Sequence, residues 1–262
     1  MGSRVTLFGS TTPRPEPSPR RLFRPNHPWD HNFFLVWVLL IWAGVLRGFV
    51  PEVIQHVVEH KTPFPPIIHV HGVVFVGWLA LLTAQVLLIR ARRLQTHKRL
   101  GLLGAVLAAM MVVVGPMTAV VMDRLEFGTP DDNTPFLFVQ MTDIAAFAML
   151  AGAGLALRAN AAAHKRLILL ATLYISDAGF SRFLQGPITE WLGSSYWPYF
   201  AGLYLAGDLL MLGIGVYDLI TRRRLEPAYV VAMFGILAIE MVSVHFRLDP
   251  AWKLTATHLL GH

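Results

Sequence analysis

The chain has 262 residues, 55% of them hydrophobic and only 15% charged, with a mean hydropathy of +0.53. A soluble domain carries about 25% charged residues, so this ratio excludes a globular surface facing water on all sides and leaves no length for a separate soluble domain. Cysteine is absent and the net charge is +6. The first fact removes disulfides, thiolate metal sites, cysteine nucleophiles and c-type haem attachment. The second reflects basic residues scattered among the gaps between apolar runs, a pattern that does not point to nucleic acid.

Residues 1–32 are polar, proline-rich and basic, with Arg4, Arg14, Arg20, Arg21 and Arg24. They contain no short apolar run followed by a small-residue cleavage site, so they read as a disordered cytoplasmic tail lying against anionic lipid rather than as a cleaved signal. Seven apolar runs follow, at 33–50, 67–89, 100–121, 135–157, 167–186, 197–220 and 228–247. Each has a length that crosses the hydrocarbon as a helix, roughly 17–25 residues. The fifth and seventh are the least apolar. Pro51, Pro65, Pro66, Pro135, Pro198 and Pro227 sit at span edges, where helix starts and stops tolerate them. Pro116 lies inside the third span and predicts a kink. Residues 248–262 read as a short extracytoplasmic tail. The expected fold is all-α: a polytopic membrane protein with seven transmembrane helices over 33–247.

Lysine and arginine sort by side. Sixteen fall in the N-terminal tail and the 90–99, 158–166 and 221–226 loops; six fall at the other ends. The positive-inside rule then puts the N-terminus in the cytoplasm and the C-terminus outside, in a bacterial inner membrane. There is also an internal echo. Arg90 to Leu100 reads RARRLQTHKRL, Arg158 to Leu167 reads RANAAAHKRL, and Arg222 to Ala228 reads RRRLEPA. Each opens a new span, which suggests one leading helix followed by three helical hairpins. These HKRL loops, the His-Val-His-Gly of residues 69–72 and the Tyr-Asp-Leu-x-x-Arg-Arg-Arg-Leu-x-Pro of residues 217–227 resemble a family of bacterial multi-helix integral membrane proteins. The resemblance spans the second to seventh runs and implies the membrane fold; the family carries no established activity to transfer.

An ionisable side chain inside the hydrocarbon is costly unless paired or hydrated, and is a functional candidate by default. Asp143, Asp177, Asp208 and Glu240 qualify as catalytic or proton-carrying groups. Arg47 and Arg182 lie closer to the outer edge, as do His69, His71 and His245. Tyr174, Ser176, Ser181 and Tyr204 add hydroxyls at similar depths. In one reading Arg47 and Arg182 pair with two of the carboxylates and merely fix packing. In another the layer is a polar cavity open to the outside. His69 and His71 point in different directions on an ideal helix, unless the entry after Pro65 and Pro66 is unwound; with His245 they form a candidate metal or haem ligand set.

His56, Glu59 and His60 read H-x-x-E-H, the inverted zincin spacing, in a short amphipathic stretch that also reads as an interfacial helix. His97 and His164 occupy matching loops beside basic residues, where lipid contact or helix initiation is the simpler role; together they could also bracket a haem. The methionines read as core fillers. Glycine-rich phosphate loops and nucleophile elbows are absent.

Three functions follow. The first is a redox protein or enzyme with haem b or a divalent metal on His69 or His71 and His245, Arg47 or Arg182 neutralising propionates, and Asp208 or Glu240 relaying protons. The second is a proton-coupled small-molecule transporter using the four carboxyls. The third is a cofactor-free accessory subunit, in which the polar layer is fully paired. Membrane ceramidases share the span number, but their histidine pattern does not match. The expected partners are the lipid bilayer and other membrane subunits or a second copy of the chain.

Overall fold

A computed structural model describes residues 23–60 and 62–261; the tail expected over 1–22 lies outside them. Among the described residues there are eight α-helices and no strands. They are α1 (Asp30–Val58), α2 (Pro66–Arg90), α3 (Leu94–Glu126), α4 (Leu137–Ala156), α5 (Ala161–Leu192), α6 (Tyr196–Arg222), α7 (Pro227–Leu248) and α8 (Pro250–Leu260), with a short 3-10 turn, Thr134–Phe136, before α4. The first seven are long and apolar enough to cross a membrane, which places the chain in a lipid bilayer.

The helices overrun the apolar runs because backbone hydrogen bonding continues into the interface after the hydrophobic residues end. α1 starts at Asp30 and passes through Pro51 to Val58, so the H-x-x-E-H stretch is mostly the end of a span helix. Pro116 and Pro187 also lie within unbroken helices. The fifth span is the least apolar, as expected; the seventh is more apolar than the fourth and sixth.

The low hydropathy of α5 has a structural reason, since it is the central helix. Of its most apolar window 67% is buried, against 22% in α1 and α2. Small residues let its neighbours approach it closely. On α1, a Cβ at Gly48 would come 2.1 Å from the Gly179 carbonyl oxygen, and one at Gly44 would meet the Phe180 ring. Indoles satisfy their N–H groups across helices: the buried Trp78 donates from Nε1 to Thr172 Oγ1 at 3.1 Å, joining α2 to α5, and the half-buried Trp37 donates from Nε1 to the Leu210 carbonyl at 2.9 Å, joining α1 to α6.

At the bundle end holding Asp30, which we call the tail end, an ionic network ties three helices. Arg166 Nε donates to Asp218 Oδ2 at 2.6 Å, its Nη2 donates to Asp218 Oδ1, and both side chains are fully buried. Arg222 Nη2 donates to both oxygens of Asp30 at 2.7 and 2.8 Å. Lys165 and the Tyr217 hydroxyl donate to the same carboxylate, each at 2.7 Å. The segment before α1 is held here too: Arg222 Nε donates to the Arg24 carbonyl at 2.9 Å, and Arg166 lies over the Phe23 ring.

At the far end, residues expected to be a plain tail form α8. Asp249 caps it by accepting from Ala251 N at 2.9 Å, Pro250 occupies the first position, and Gly261 ends it at φ 88°, a conformation glycine adopts without strain. Trp252 Nε1 reaches the Pro135 carbonyl at 3.1 Å, and the Leu260 carbonyl accepts from Arg124 Nε at 2.9 Å.

Candidate functional site: a buried carboxyl cluster

The four intramembrane carboxyls come together. α4 supplies Asp143, α5 Asp177, α6 Asp208 and α7 Glu240. At about 1.5 Å per residue they lie between the middle of the bundle and its far end. Asp177 is 3% exposed and Glu240 is 0% exposed, so bulk water does not stabilise them. Tyr174, one turn before Asp177, presents its ring on the same face of α5. Gly207 on α6 makes room for the Asp177 carboxyl: a Cβ there would fall 2.0 Å from Oδ1.

Electrostatically the groups form one set. Glu240 feels Asp208 and Asp143, and Asp177 feels Glu240, Asp143 and Asp208. Tyr174 and Tyr204 both feel Asp143, Glu240 and Asp177. Their rings lie 6.1 Å apart with a 24° interplanar angle. A hydroxyl chain borders the set: Tyr204 donates to Ser243 Oγ at 3.2 Å, and Ser243 shares a 2.8 Å hydrogen bond with Thr142 Oγ1.

The carboxyls themselves are largely unpaired. Both oxygens of Asp177, both of Glu240, Oδ1 of Asp143 and the Tyr174 hydroxyl are buried without a hydrogen-bond partner. Asp208 and Glu240 lie side by side as an interacting carboxyl pair, which can share a hydrogen bond only when one of the two holds a proton. Native interiors pair more than nine in ten of their buried polar groups, which makes this concentration unusual. Among the described residues no ion pair joins a cation to any of these four carboxyls, and like charges gathered in an apolar layer repel one another.

The arginines expected to pair with them are placed elsewhere. Arg182 Nε donates to Glu52 Oε2 at 2.6 Å and its Nη1 to the Ala178 carbonyl at 2.5 Å, on a largely exposed surface. Arg47 lies over the Phe183 ring, 5.5 Å from its centroid. The packing explanation built on buried pairs of Arg47 and Arg182 with these carboxylates is therefore corrected: neither guanidinium is bonded to Asp143, Asp177, Asp208 or Glu240.

The histidines separate. His69 and His245 are exposed, and His71 is half-buried with its ring stacked on Phe75 at 3.9 Å. The turn at the start of α2 is regular helix, not unwound, so His69 and His71 do face different ways. Among the described residues, no three His, Asp or Glu side chains converge as a metal-binding group. The H-x-x-E-H motif does not form one helical face either. His56 lies in the last turn of α1, Glu59 caps it, and His60 turns away at φ 50°; the His56 ring stacks on Phe64 and its Nε2 bonds the Thr62 carbonyl at 2.9 Å. His97 and His164 sit in the first turns of α3 and α5, their rings 6.4 Å apart and nearly perpendicular. His164 Nδ1 is 2.7 Å from the Gly154 carbonyl; a carbonyl only accepts, so this nitrogen carries the proton.

The sequence reading missed the tail-end network. Its signals were present: Arg166 is the arginine of the second HKRL, and Asp218 and Arg222 stand four apart in YDLxxRRRL, a helical ion-pair spacing. No protein-family model, no curated protein and no solved structure matches the chain.

Proposed function

We propose that the protein is a proton-coupled small-molecule transporter in which Asp143, Asp177, Asp208 and Glu240 hold and exchange protons. The carrying observation is that carboxyl oxygens of Asp143, Asp177 and Glu240, on three different helices, are buried with no hydrogen-bond donor satisfying them, beside the half-buried Asp208 of a fourth. A cluster kept only for packing is expected to be satisfied, because each unpaired buried polar group costs stability. A proton site needs the opposite: groups without a permanent partner, whose charge changes as protons come and go. The hydroxyls of Tyr204, Ser243 and Thr142 border the carboxyls and supply donors and acceptors along which a proton moves. In this reading the tail end with Asp30 faces the cytoplasm of a bacterial cell, following the lysine and arginine bias, and the carboxyls lie toward the external side.

The test is thermal stability of Asp177→Asn and Glu240→Gln across a pH series. Neutral isosteres of an unpaired proton site leave stability unchanged or raised and flatten its pH dependence. A fall in stability at every pH in both variants would assign the cluster to packing, and the accessory-subunit reading would replace this one.

A further inference from the structure

The bilayer-facing side of the bundle carries an apolar groove between α1, α5 and α6, with a volume of about 490 Å³. Leu40, Ala43, Phe180, Leu184, Ala206 and Leu209 line it, and Arg47 is the one charged residue among its walls. Its floor is fixed, because Gly44 packs directly on the Phe180 ring and leaves no space for the α1 backbone to settle deeper.

The depth of Arg47 can be worked out. It stands seventeen residues beyond Asp30 on one continuous helix, about 26 Å along the axis at 1.5 Å per residue. Asp30 belongs to the ionic network of the tail end. In a hydrocarbon layer about 30 Å thick, Arg47 therefore sits just inside the opposite headgroup region, within reach of it by extending its side chain. Arg182 lies at the same level, sixteen residues beyond Arg166 on α5, about 24 Å.

The two arginines differ in one respect. Arg182 is neutralised by Glu52. Arg47 is exposed and makes no hydrogen bond or ion pair among the described residues; its only specific contact is the Phe183 ring. An uncompensated guanidinium at this depth favours an anion, and the anion available beside an acyl-shaped groove is a lipid phosphate, which arginine's planar fork recognises in bidentate fashion.

We propose that this groove is a binding site for an anionic phospholipid of the far leaflet, with one acyl chain lying along the α1–α6 seam over Phe180 and the phosphate on Arg47. A zwitterionic lipid brings its own cation and leaves the Arg47 charge only partly compensated, so the site selects for net negative headgroups.

The experiment is native mass spectrometry of the detergent-purified protein with added phosphatidylglycerol or phosphatidylcholine of identical chains. The expected result is a one-lipid adduct that favours phosphatidylglycerol by about fivefold, the effect of one basic residue near an anionic surface. Arg47→Gln loses the preference, Arg47→Lys keeps it, and Arg182→Gln leaves it intact. Ala206→Phe fills the groove and lowers retention of both lipids. Equal retention of the two lipids by the wild type, or a preference that survives Arg47→Gln, overturns the proposal. So does a dimer mass that Ala206→Phe disrupts with no change in lipid, which would assign the groove to a second copy of the chain.

Discussion

Replacing Asp218 by asparagine should be among the most damaging single changes in the bundle. Arg166 and Asp218 are both fully buried and joined by two hydrogen bonds. The asparagine is nearly isosteric, but it leaves the guanidinium with the Ala162 carbonyl, the Phe23 ring and an uncompensated charge. Removing one partner of such a pair costs about 3–5 kcal/mol. At about 2–4 °C per kcal/mol for a chain of this size, the melting temperature falls by roughly 6–20 °C. Intrinsic tryptophan fluorescence follows the transition, since Trp37, Trp42 and Trp78 lie in the packed helices. The double variant Arg166→Met/Asp218→Leu removes both charges and recovers most of the loss, because apolar replacement of a buried pair is often neutral or stabilising and Arg222, which also touches Asp218 at 3.3 Å, keeps its two hydrogen bonds to Asp30. A melting temperature for Asp218→Asn within 2 °C of wild type, on the order of 1 kcal/mol, would refute the reasoning. A double variant as unstable as the single one would do the same.

Other outcomes follow from particular contacts. Gly48→Ala forces α1 away from the Gly179 carbonyl and should cost about 1–3 kcal/mol as overpacking, read by the same melting assay. Glu52→Gln breaks the exposed pair with Arg182 and should change stability by less than about 1 kcal/mol. Asp249→Ala removes the α8 cap and should cost about 1 kcal/mol, visible as faster amide exchange across 250–260 with the membrane helices unaffected. In the loop before α4, hydrogen bonds from the Thr134 backbone N–H and hydroxyl and from Gly128 N–H hold the Asp132 carboxyl below its usual range. A depressed folded-state pKa contributes stability above the unfolded value of about 3.9, and that contribution is lost as pH falls through the folded value. Amide exchange in residues 128–134 should therefore accelerate only under acid conditions, and Asp132→Asn should show the faster exchange at neutral pH as well.

The spans were legible because hydropathy and length depend on composition alone, and a carboxyl such as Glu240 inside an apolar run is an anomaly that any walk along the chain meets. The partners were harder. Arg47 and Arg182 stand only a turn or so further out than the carboxyls, within side-chain reach of their layer, but which way each side chain points depends on helix rotation, and depth alone cannot supply that angle. The same missing angle separates His69 from His71 and leaves His245 facing outward. Arg166 and Asp218 were overlooked for a different reason: charges at span ends are normal at an interface, so nothing in their position distinguishes a buried pair from solvated ones. The last helix was missed despite its Asp-Pro start and Gly end, because eleven residues after a long apolar run carry too weak a hydrophobic pattern to outweigh the reading as a tail.

The central claim is that the carboxyls of α4 to α7 change protonation as a set. The measurement that addresses it most directly is infrared difference spectroscopy of the purified protein during a pH titration, following the C=O stretch of protonated carboxyls. The account predicts bands that bleach as pH rises, are weakened in Asp177→Asn and in Glu240→Gln, and shift in frequency for the remaining carboxyls in each variant because the groups feel one another. A spectrum with no protonated-carboxyl band that depends on these residues would contradict it.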